Sequence, residues 1–142
     1  MIQQILTTSF KQQLLQAGHN FLTDTFKIAL YYNEATLNSA TTAYTSAFEV
    51  AGTGYTTGGK TVTPTAPASY GTVGYVNFST VTWTGSDFFA RGALIYNSSS
   101  VLYPNSSVMV IDFGMNRYSL QDGTFSITFP TNNSQLALIR IT

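Results

Sequence analysis

Cysteine is absent from this chain of 142 residues, which removes disulfide bonds, thiolate catalysis and cysteine-ligated zinc together. Charge is nearly as scarce, since Asp, Glu, Lys and Arg make up 8% of the residues, against about 25% in an average soluble domain. Six basic and six acidic residues give a formal net charge of zero. A surface with so few ions is poorly protected against association, so the composition favours a protein embedded in an assembly over an isolated neutral β domain.

The charges that remain are scattered from Lys11 to Arg140, and no two are adjacent. Without a basic stripe we expect no nucleic-acid binding. No apolar run approaches the length of about 20 residues that a membrane-spanning helix requires, so we expect no membrane partner. Residues 1–6 lack both the charged leader and the apolar core of a signal peptide. Together with the missing cysteines, this suits assembly in a reducing cytoplasm.

Groups that catalyse proton transfer or hold metals are also few. His19 is the one histidine, and it lies beside Gly18 and Asn20 where a helix is expected to end, which is typical of a capping residue. The carboxylates occur singly, without the spacing of a catalytic pair or a calcium loop. We therefore expect no enzyme activity, no cofactor and no metal. The six acidic residues are Asp24, Glu34, Glu49, Asp87, Asp112 and Asp122.

The first twenty residues carry the helical pattern of the chain. Apolar residues recur every four positions from Ile2 to Leu14, which predicts an amphipathic helix with Gly18 as its left-handed C-cap. One of the three hydroxyl residues at 7–9 could instead cap a shorter helix that runs to Ala17. Either helix has one apolar face, which packs on the chain's own sheet or forms an arm that reaches a neighbouring subunit.

From residue 24 to residue 142 the pattern is that of β-strands. Asp122-Gly123 precedes an alternating run and predicts a hairpin turn, while the glycines of segment 52–59 predict a long loop. Short strands separated by frequent turns are typical of a two-sheet sandwich. We expect one mainly β, jelly-roll-like domain with one short N-terminal helix. The predicted strands are 26–32, 44–50, 60–63, 74–78, 81–83, 89–96, 108–113, 124–129 and 136–141.

Two charged residues interrupt apolar strands: Arg91 lies within segment 89–96 and Asp112 within 108–113. If these strands are neighbours, the two side chains can form a buried structural pair that fixes their register, because an unpaired buried charge costs several kcal/mol. An intersubunit contact is the alternative, and Arg140 is a further candidate partner.

Several segments carry a resemblance to a known family. They include Gly52-Thr53-Gly54-Tyr55, Ala90-Arg91-Gly92-Ala93 and Asp122-Gly123-Thr124-Phe125. Together with Phe26–Tyr31, Val81-Thr82-Trp83, Ile111-Asp112-Phe113-Gly114 and Ile139–Ile141, they span nearly the whole chain. In these fold-and-turn patterns the chain resembles small virion proteins of tailed bacteriophages. The resemblance brings no catalytic residue with it.

The described type that the chain resembles most is the capsid cement, or decoration, protein. The resemblance implies a homo-oligomer (dimer or trimer) on the outer surface of the icosahedral head, which bridges subunits of the major capsid protein and stabilises the shell. A neck, tail or fibre-associated virion protein is one alternative. A carbohydrate-binding jelly roll is another, because Trp83 and nine tyrosines offer aromatic surface for sugars.

Three protrusions are available to reach neighbouring subunits: the N-terminal helix, the loop 52–59 and the Ser/Asn-rich loop 97–107. The residues that we predict at the interfaces are Phe10, Leu14, Gly54, Tyr55, Gly58, Tyr103 and Asn105.

Overall fold

Two antiparallel sheets and one short helix make up the protein in a computed structural model that describes residues 1–142. The larger sheet has the order β1-β7-β6-β2-β3, and the smaller has the order β4-β5-β8. This confirms the prediction of a mainly β, two-sheet sandwich with one short helix near the N-terminus. The elements are β1 (Ile5–Leu6), α1 (Thr8–Leu15), β2 (Phe26–Tyr31), β3 (Lys60–Val62), β4 (Ala68–Tyr70), β5 (Val73–Val76), β6 (Val81–Asn97), β7 (Ser106–Ile127) and β8 (Ile139–Ile141).

In the large sheet β2 lies between β6 and β3, and it is buried on both faces, as the sequence predicted. Phe26, Ile28 and Leu30 point into the main core between the sheets. Ala29 and Tyr31 point to the opposite face, where they belong to a second, smaller cluster. Period-two alternation places neighbours on opposite faces, so a strand that is buried on both is mostly apolar, and the partly buried Lys27 is the one charged residue of β2.

Segment 32–50 covers that second face as an irregular loop. Its Ala35 and Leu37 are buried against Tyr31, and Tyr44 stacks on Tyr96 with 4.8 Å between ring centroids. The predicted strand 44–50 is therefore wrong, because the segment makes only isolated bridges, such as Tyr31 with Glu49. Its apolar residues have no regular partner strand and cover a satellite core instead.

β6 and β7 form one long, bent ribbon. The predicted strands 81–83 and 89–96 are both parts of β6. The predicted Asp122-Gly123 hairpin is wrong, because β7 continues through these two residues to Ile127. Ser86 faces Gly123 while Phe88 faces Ser119, so three residues of β7 oppose one of β6 in a bulge. Positive φ at Gln121 and Asp122 accommodates that bulge instead of a turn.

The N-terminus is part of the sandwich and not an arm. Ile5 and Leu6 pair with Met109 and Val110 of β7, so the longer predicted helix is wrong. The helix starts after a hydroxyl cap, as in the shorter alternative, but it ends at Leu15 and not at Ala17. Thr7 caps α1, since its hydroxyl accepts a hydrogen bond from the Phe10 N–H. The helix packs on the main core through Phe10.

The left-handed residue after α1 is Ala17, with a φ of 57°, and not the predicted Gly18. Gly18 N–H donates to Gln13 O and Ala17 N–H donates to Leu14 O, which is the Schellman pattern. Gly18 is needed for a different reason, because a Cβ there would lie 2.6 Å from the ring of Tyr103.

Candidate interaction surfaces

A chain of polar side chains fastens the exit of α1 to the end of β6. His19 is 7% exposed, and its Nε2 lies 2.8 Å from Gln13 Oε1 while its Nδ1 lies 3.1 Å from Asn97 Nδ2. The Asn97 amide also donates to Asp24 Oδ2 at 2.7 Å. An amide can only donate to Nδ1, so Nε2 carries the proton and donates to Gln13.

This network holds His19 as a neutral imidazole. Burial lowers the pKa of His19 below its ordinary 6.5, while the charge of Asp24 acts in the opposite direction. Both ring nitrogens are already engaged within the chain, and Phe10 packs 5.0 Å from the ring. The geometry therefore gives His19 the role of a crosslink between α1 and β6, and not the capping role expected from its neighbours in sequence, because its ring bonds side chains and no helix carbonyl.

Arg91 and Asp112 meet across β6 and β7 as an ion pair between Arg91 Nη1 and Asp112 Oδ1. Both side chains are partly exposed, so the pair lies at the surface and is not the buried pair that the sequence suggested. Arg140 takes no part, since its guanidinium donates to Gln135 O. A partly exposed pair of this kind contributes about 0–1 kcal/mol.

A buried carboxylate with no cation partner holds the Gly-rich loop. Glu49 is 8% exposed, and it accepts hydrogen bonds from the Tyr44 hydroxyl at 2.7 Å, the Tyr55 hydroxyl at 2.6 Å and the Gly58 N–H at 2.8 Å. Charge-assisted bonds of this kind are about twice as strong as neutral ones, and three of them compensate the desolvation of the carboxylate. We call Glu49, Tyr44, Tyr55 and Gly58 the Glu49 cluster.

Two further contacts tie the Glu49 cluster to the large sheet. The Tyr55 hydroxyl accepts a bond from Leu30 N–H, and the Tyr96 hydroxyl donates to Gly58 O at 2.7 Å. Burial is the main cause that raises the pKa of Tyr44 and Tyr55 above the ordinary 10, and the hydrogen bonds with Glu49 add to it. Nothing in the spacing of these residues indicated the cluster, because its members come together only when the loop folds onto β2.

The Glu49 cluster holds three of the predicted interface residues, Gly54, Tyr55 and Gly58, against the chain's own sheet. Loop 52–59 is a loop, as predicted, but it lies flat on the sheet through Tyr55 and Gly58. Gly54 belongs to the same contact, since a Cβ there would lie 2.7 Å from Gly85 O. Tyr55 is therefore a packing residue that contacts Trp83 and Phe88, not a protruding one.

The remaining predicted interface residues fall into two groups. Phe10 is wrong as a contact residue because it is 1% exposed within the main core. Leu14 and Tyr103 are half-buried and Asn105 is exposed, so these three can reach a neighbour. Tyr103 is also held in place, because its hydroxyl donates to Gln16 Oε1 at 2.6 Å.

Four exposed apolar side chains lie on segments near the exit of α1 and after β6. Leu15 and Val101 are 90% and 91% exposed, and Leu22 and Leu102 are also largely exposed. Their segments are joined, because the Ser100 hydroxyl donates to Gly18 O and Tyr103 bonds Gln16. We call Leu15, Leu22, Val101 and Leu102 the end patch. Exposed apolar side chains on two joined segments are typical of an interaction surface.

An apolar groove separates α1 from the small sheet. One part, of about 220 Å³, lies over β5 and β8, and an adjoining part, of about 310 Å³, lies beside β8. Leu14, Ile139 and Ile141 line both parts, so they form one feature, which we call the α1–β8 groove. Lys11 and Arg140 are the charged residues that line it.

A shallower cleft of about 310 Å³ on the small sheet has a different chemistry. Tyr70 and Tyr75 line it together with Asn133, Ser134 and Gln135. Tyr70 is largely exposed at the edge strand β4. Its ring can contact the apolar face of a small cyclic ligand, while the neighbouring amide and hydroxyl groups can bond the ligand's polar groups. Trp83, by contrast, is 4% exposed and offers no platform to a ligand.

Comparisons place the chain beside no known relative: no protein-family model, curated protein or solved structure matches it. No three His, Asp or Glu side chains come close enough to one another to share a metal ion. None of its helices has the length and apolar character needed to cross a bilayer. The function is therefore inferred from the end patch, the α1–β8 groove and the Tyr70–Tyr75 cleft.

Proposed function

We propose that the protein is a structural component of a bacteriophage particle, a capsid cement or decoration protein that binds the outer surface of the head. The observation that carries this proposal is the surface chemistry. One ion pair lies on a neutral surface, whereas twelve large hydrophobic side chains are exposed, four of them in the end patch. Such a surface suits contacts with protein neighbours, where buried charge is depleted and apolar anchors dominate.

A cement protein can bind through individually weak contacts, because the same contact is repeated many times on the shell. A shell displays identical sites at every lattice position, so each copy that bridges two capsid subunits gains avidity from its neighbours. An interface of about 1,600 Å² ranges from micromolar to picomolar affinity according to its anchors. The end patch is the surface that supports self-association into a dimer or trimer, because its four side chains are apolar and largely exposed.

The test is the location and copy number of the protein on particles of the phage that encodes it. Quantitative mass spectrometry of purified particles should find a number of copies that scales with the number of capsid subunits. About six to a dozen copies would instead indicate a symmetric ring at the neck or tail. Purified protein should also bind heads that lack it and raise the temperature at which they rupture, and failure in both assays would contradict the proposal.

Carbohydrate binding is a second candidate, favoured by the Tyr70–Tyr75 cleft. Both rings lie on the small sheet beside the polar side chains of Asn133, Ser134 and Gln135. A glycan array tests it, with Tyr70→Ala as the variant, because Tyr70 is exposed and its loss leaves the core intact. Binding that disappears in this variant without a change in melting temperature would favour this function. The same experiment with Trp83→Ala would be ambiguous, because removing the buried ring destabilises the fold.

A further inference from the structure

The α1–β8 groove has the features of a site for strand addition. We infer that it takes an extended, acidic segment of a partner protein, which adds to the small sheet as a fourth strand beside β8. This deepens the proposed function and rests on it only for the identity of the partner, the major capsid protein. The chemistry of the occupant follows from the groove itself.

The free edge of β8 supplies the hydrogen-bonding groups of the proposed site. In the order β4-β5-β8 this strand pairs with β5 alone, through Ile139 with Val76 and Ile141 with Gly74. Its other edge faces the groove, where the backbone has no strand partner. Edge strands offer a row of unpaired N–H and C=O groups, and an extended peptide that pairs with them gains main-chain hydrogen bonds at once.

The opposite wall of the groove supplies the apolar part. Leu6, Leu14 and Leu15 line the groove together with β8, and Leu15, which also belongs to the end patch, and Ile141 are largely exposed. A strand that enters the groove presents alternate side chains to this wall and to solvent. Apolar residues at alternate positions of the partner segment would therefore cover leucines that water now contacts.

The charged residues at the groove decide what kind of segment fits. Lys11 and Arg140 are both exposed, and no carboxylate lines either part of the groove. A segment whose solvent-facing positions carry Asp or Glu would meet these two cations, while a basic segment would be repelled. The partner segment therefore alternates apolar and acidic residues.

A second copy of this chain does not meet these requirements. Two-fold pairing centred on β8 would place Arg140 directly opposite its own copy, and like charges opposite one another on strands are destabilising. The chain has one segment that combines an exposed apolar residue with an exposed free carboxylate nearby, Leu120 with Asp122. That segment has φ of 55° and 63° at Gln121 and Asp122, so it cannot enter as an extended strand.

Synthetic heptapeptides test the inference on the intact protein. The probe is Val-Glu-Val-Glu-Val-Glu-Val with a fluorescent label, and the control replaces each Glu with Lys. Fluorescence anisotropy should show the acidic peptide binding about tenfold more tightly than the basic one at low salt. Hydrogen exchange of the β8 amides should slow in the complex, and a peptide with the Val at its third position replaced by Pro should bind weakly, because Pro has no N–H to donate.

Charge reversal of the groove provides the matched variants. Lys11→Glu with Arg140→Glu should reverse the preference in favour of the Lys peptide, whereas Arg117→Glu, an exposed cation outside the groove, should leave it unchanged. These exposed substitutions keep the fold, so melting temperatures should stay close to that of the unaltered chain. Equal binding of both peptides, binding of neither, or a preference that the double variant retains would overturn the inference.

Phage heads separate this inference from the proposed function. Head binding that is lost in the Lys11→Glu, Arg140→Glu variant and kept in Arg117→Glu would support both. Head binding that survives in the double variant would overturn the groove as the capsid contact and leave the cement role standing. Acidic-peptide binding by a chain that never binds heads would overturn the cement role alone.

Discussion

His19 is held in place by hydrogen bonds that have a structural role. Its two ring nitrogens need one donor and one acceptor, and Asn97 and Gln13 supply them from different elements. The neutral form is the only one that fits, because a protonated ring would point an N–H at the Asn97 amide. Burial lowers the pKa of His19 and so favours the neutral form as well.

Stability should therefore decrease in mild acid. Because the pKa of His19 is lower in the folded chain than the ordinary 6.5, the unfolded chain takes up the proton first as pH falls. The free energy of unfolding is then highest above pH 6.5 and falls below it, by at most about 1.4 kcal/mol per pH unit. Urea denaturation between pH 7.5 and 5.5 measures this loss.

His19→Gln is the control for that experiment. Glutamine keeps a donor and an acceptor but has no proton to gain, so the loss between pH 7.5 and 5.5 should shrink in this variant. An unchanged slope in the variant would assign the pH dependence to another group.

Ala17 is strained, because its φ of 57° suits glycine. Ala17→Gly should relieve the strain and stabilise the protein by about 1 kcal/mol, which raises the melting temperature by about 3 °C. Ala66→Gly is the matched control, because Ala66 is exposed and has no positive φ, so glycine there only adds freedom to the unfolded chain. Calorimetry that shows no difference between the two variants would contradict this account.

At this scale the sequence predicts residue types better than their contacts. The helix exit was expected near Gly18, yet the left-handed position is one residue earlier, since the hydrogen bonds to Gln13 and Leu14 decide it. Phe10 and Tyr55 were expected to face neighbours, but one fills the main core and the other bonds Glu49. The direction of a side chain depends on the elements packed against it, which no local pattern contains.

Among the elements, loop 52–59 owes its order to the Glu49 cluster. A loop rich in glycine loses much conformational freedom when it folds, so it needs specific bonds to stay in place. The three donors to Glu49, together with Leu30 N–H and Tyr96, provide them. The loop thus behaves as a part of the sheet surface.

Removing one donor from this cluster should free the loop. Tyr55→Phe leaves the Leu30 N–H without its acceptor and takes one bond from Glu49, so we expect a loss of about 2–3 kcal/mol in the free energy of unfolding. Hydrogen exchange should also quicken at Gly58. Tyr118→Phe is the control, because Tyr118 is exposed and its hydroxyl makes no hydrogen bond within the chain, and it should change stability by less than about 0.5 kcal/mol.

The strands show where local patterns suffice and where they fail. β2 was predicted almost to its bounds, because its apolar run is buried on both faces and has no competing structure. Asp122-Gly123 carries the same turn chemistry as a hairpin, but β6 is long enough to pair with residues on both sides of it, so the positive φ serves a bulge. β4 escaped prediction because its three residues are fully exposed and owe their form to β5 alone.

The whole molecule has almost no electrostatic means of keeping copies apart. Its formal charge is zero, its pI is about 6.5 and one ion pair is present. The composition predicted this scarcity of charge, but it did not predict which exposed apolar side chains would lie on neighbouring segments. The end patch arises because the exit of α1 and the loop after β6 meet through His19 and Asn97, residues 78 positions apart in the chain.

Charged residues introduced into the end patch should therefore abolish self-association. We expect the protein to form dimers or trimers near pH 6.5, because contact buries Leu15 and Val101 without desolvating an ion. Leu15→Lys with Val101→Lys should return the mass measured by light scattering to the 15.4 kDa of one chain. Both residues are about 90% exposed, so the melting temperature of the monomer should hardly change.

Leu136→Lys is the matched control for this experiment, because Leu136 is an exposed leucine outside the end patch. It adds the same kind of charge and should leave the oligomer intact. If the unaltered chain is a monomer at every concentration, or if the control dissociates as readily as the double variant, the end patch is not the contact between copies. A contact made of apolar side chains should also tighten in ammonium sulfate, because excluded salts strengthen the burial of apolar surface, whereas one held by ion pairs would weaken.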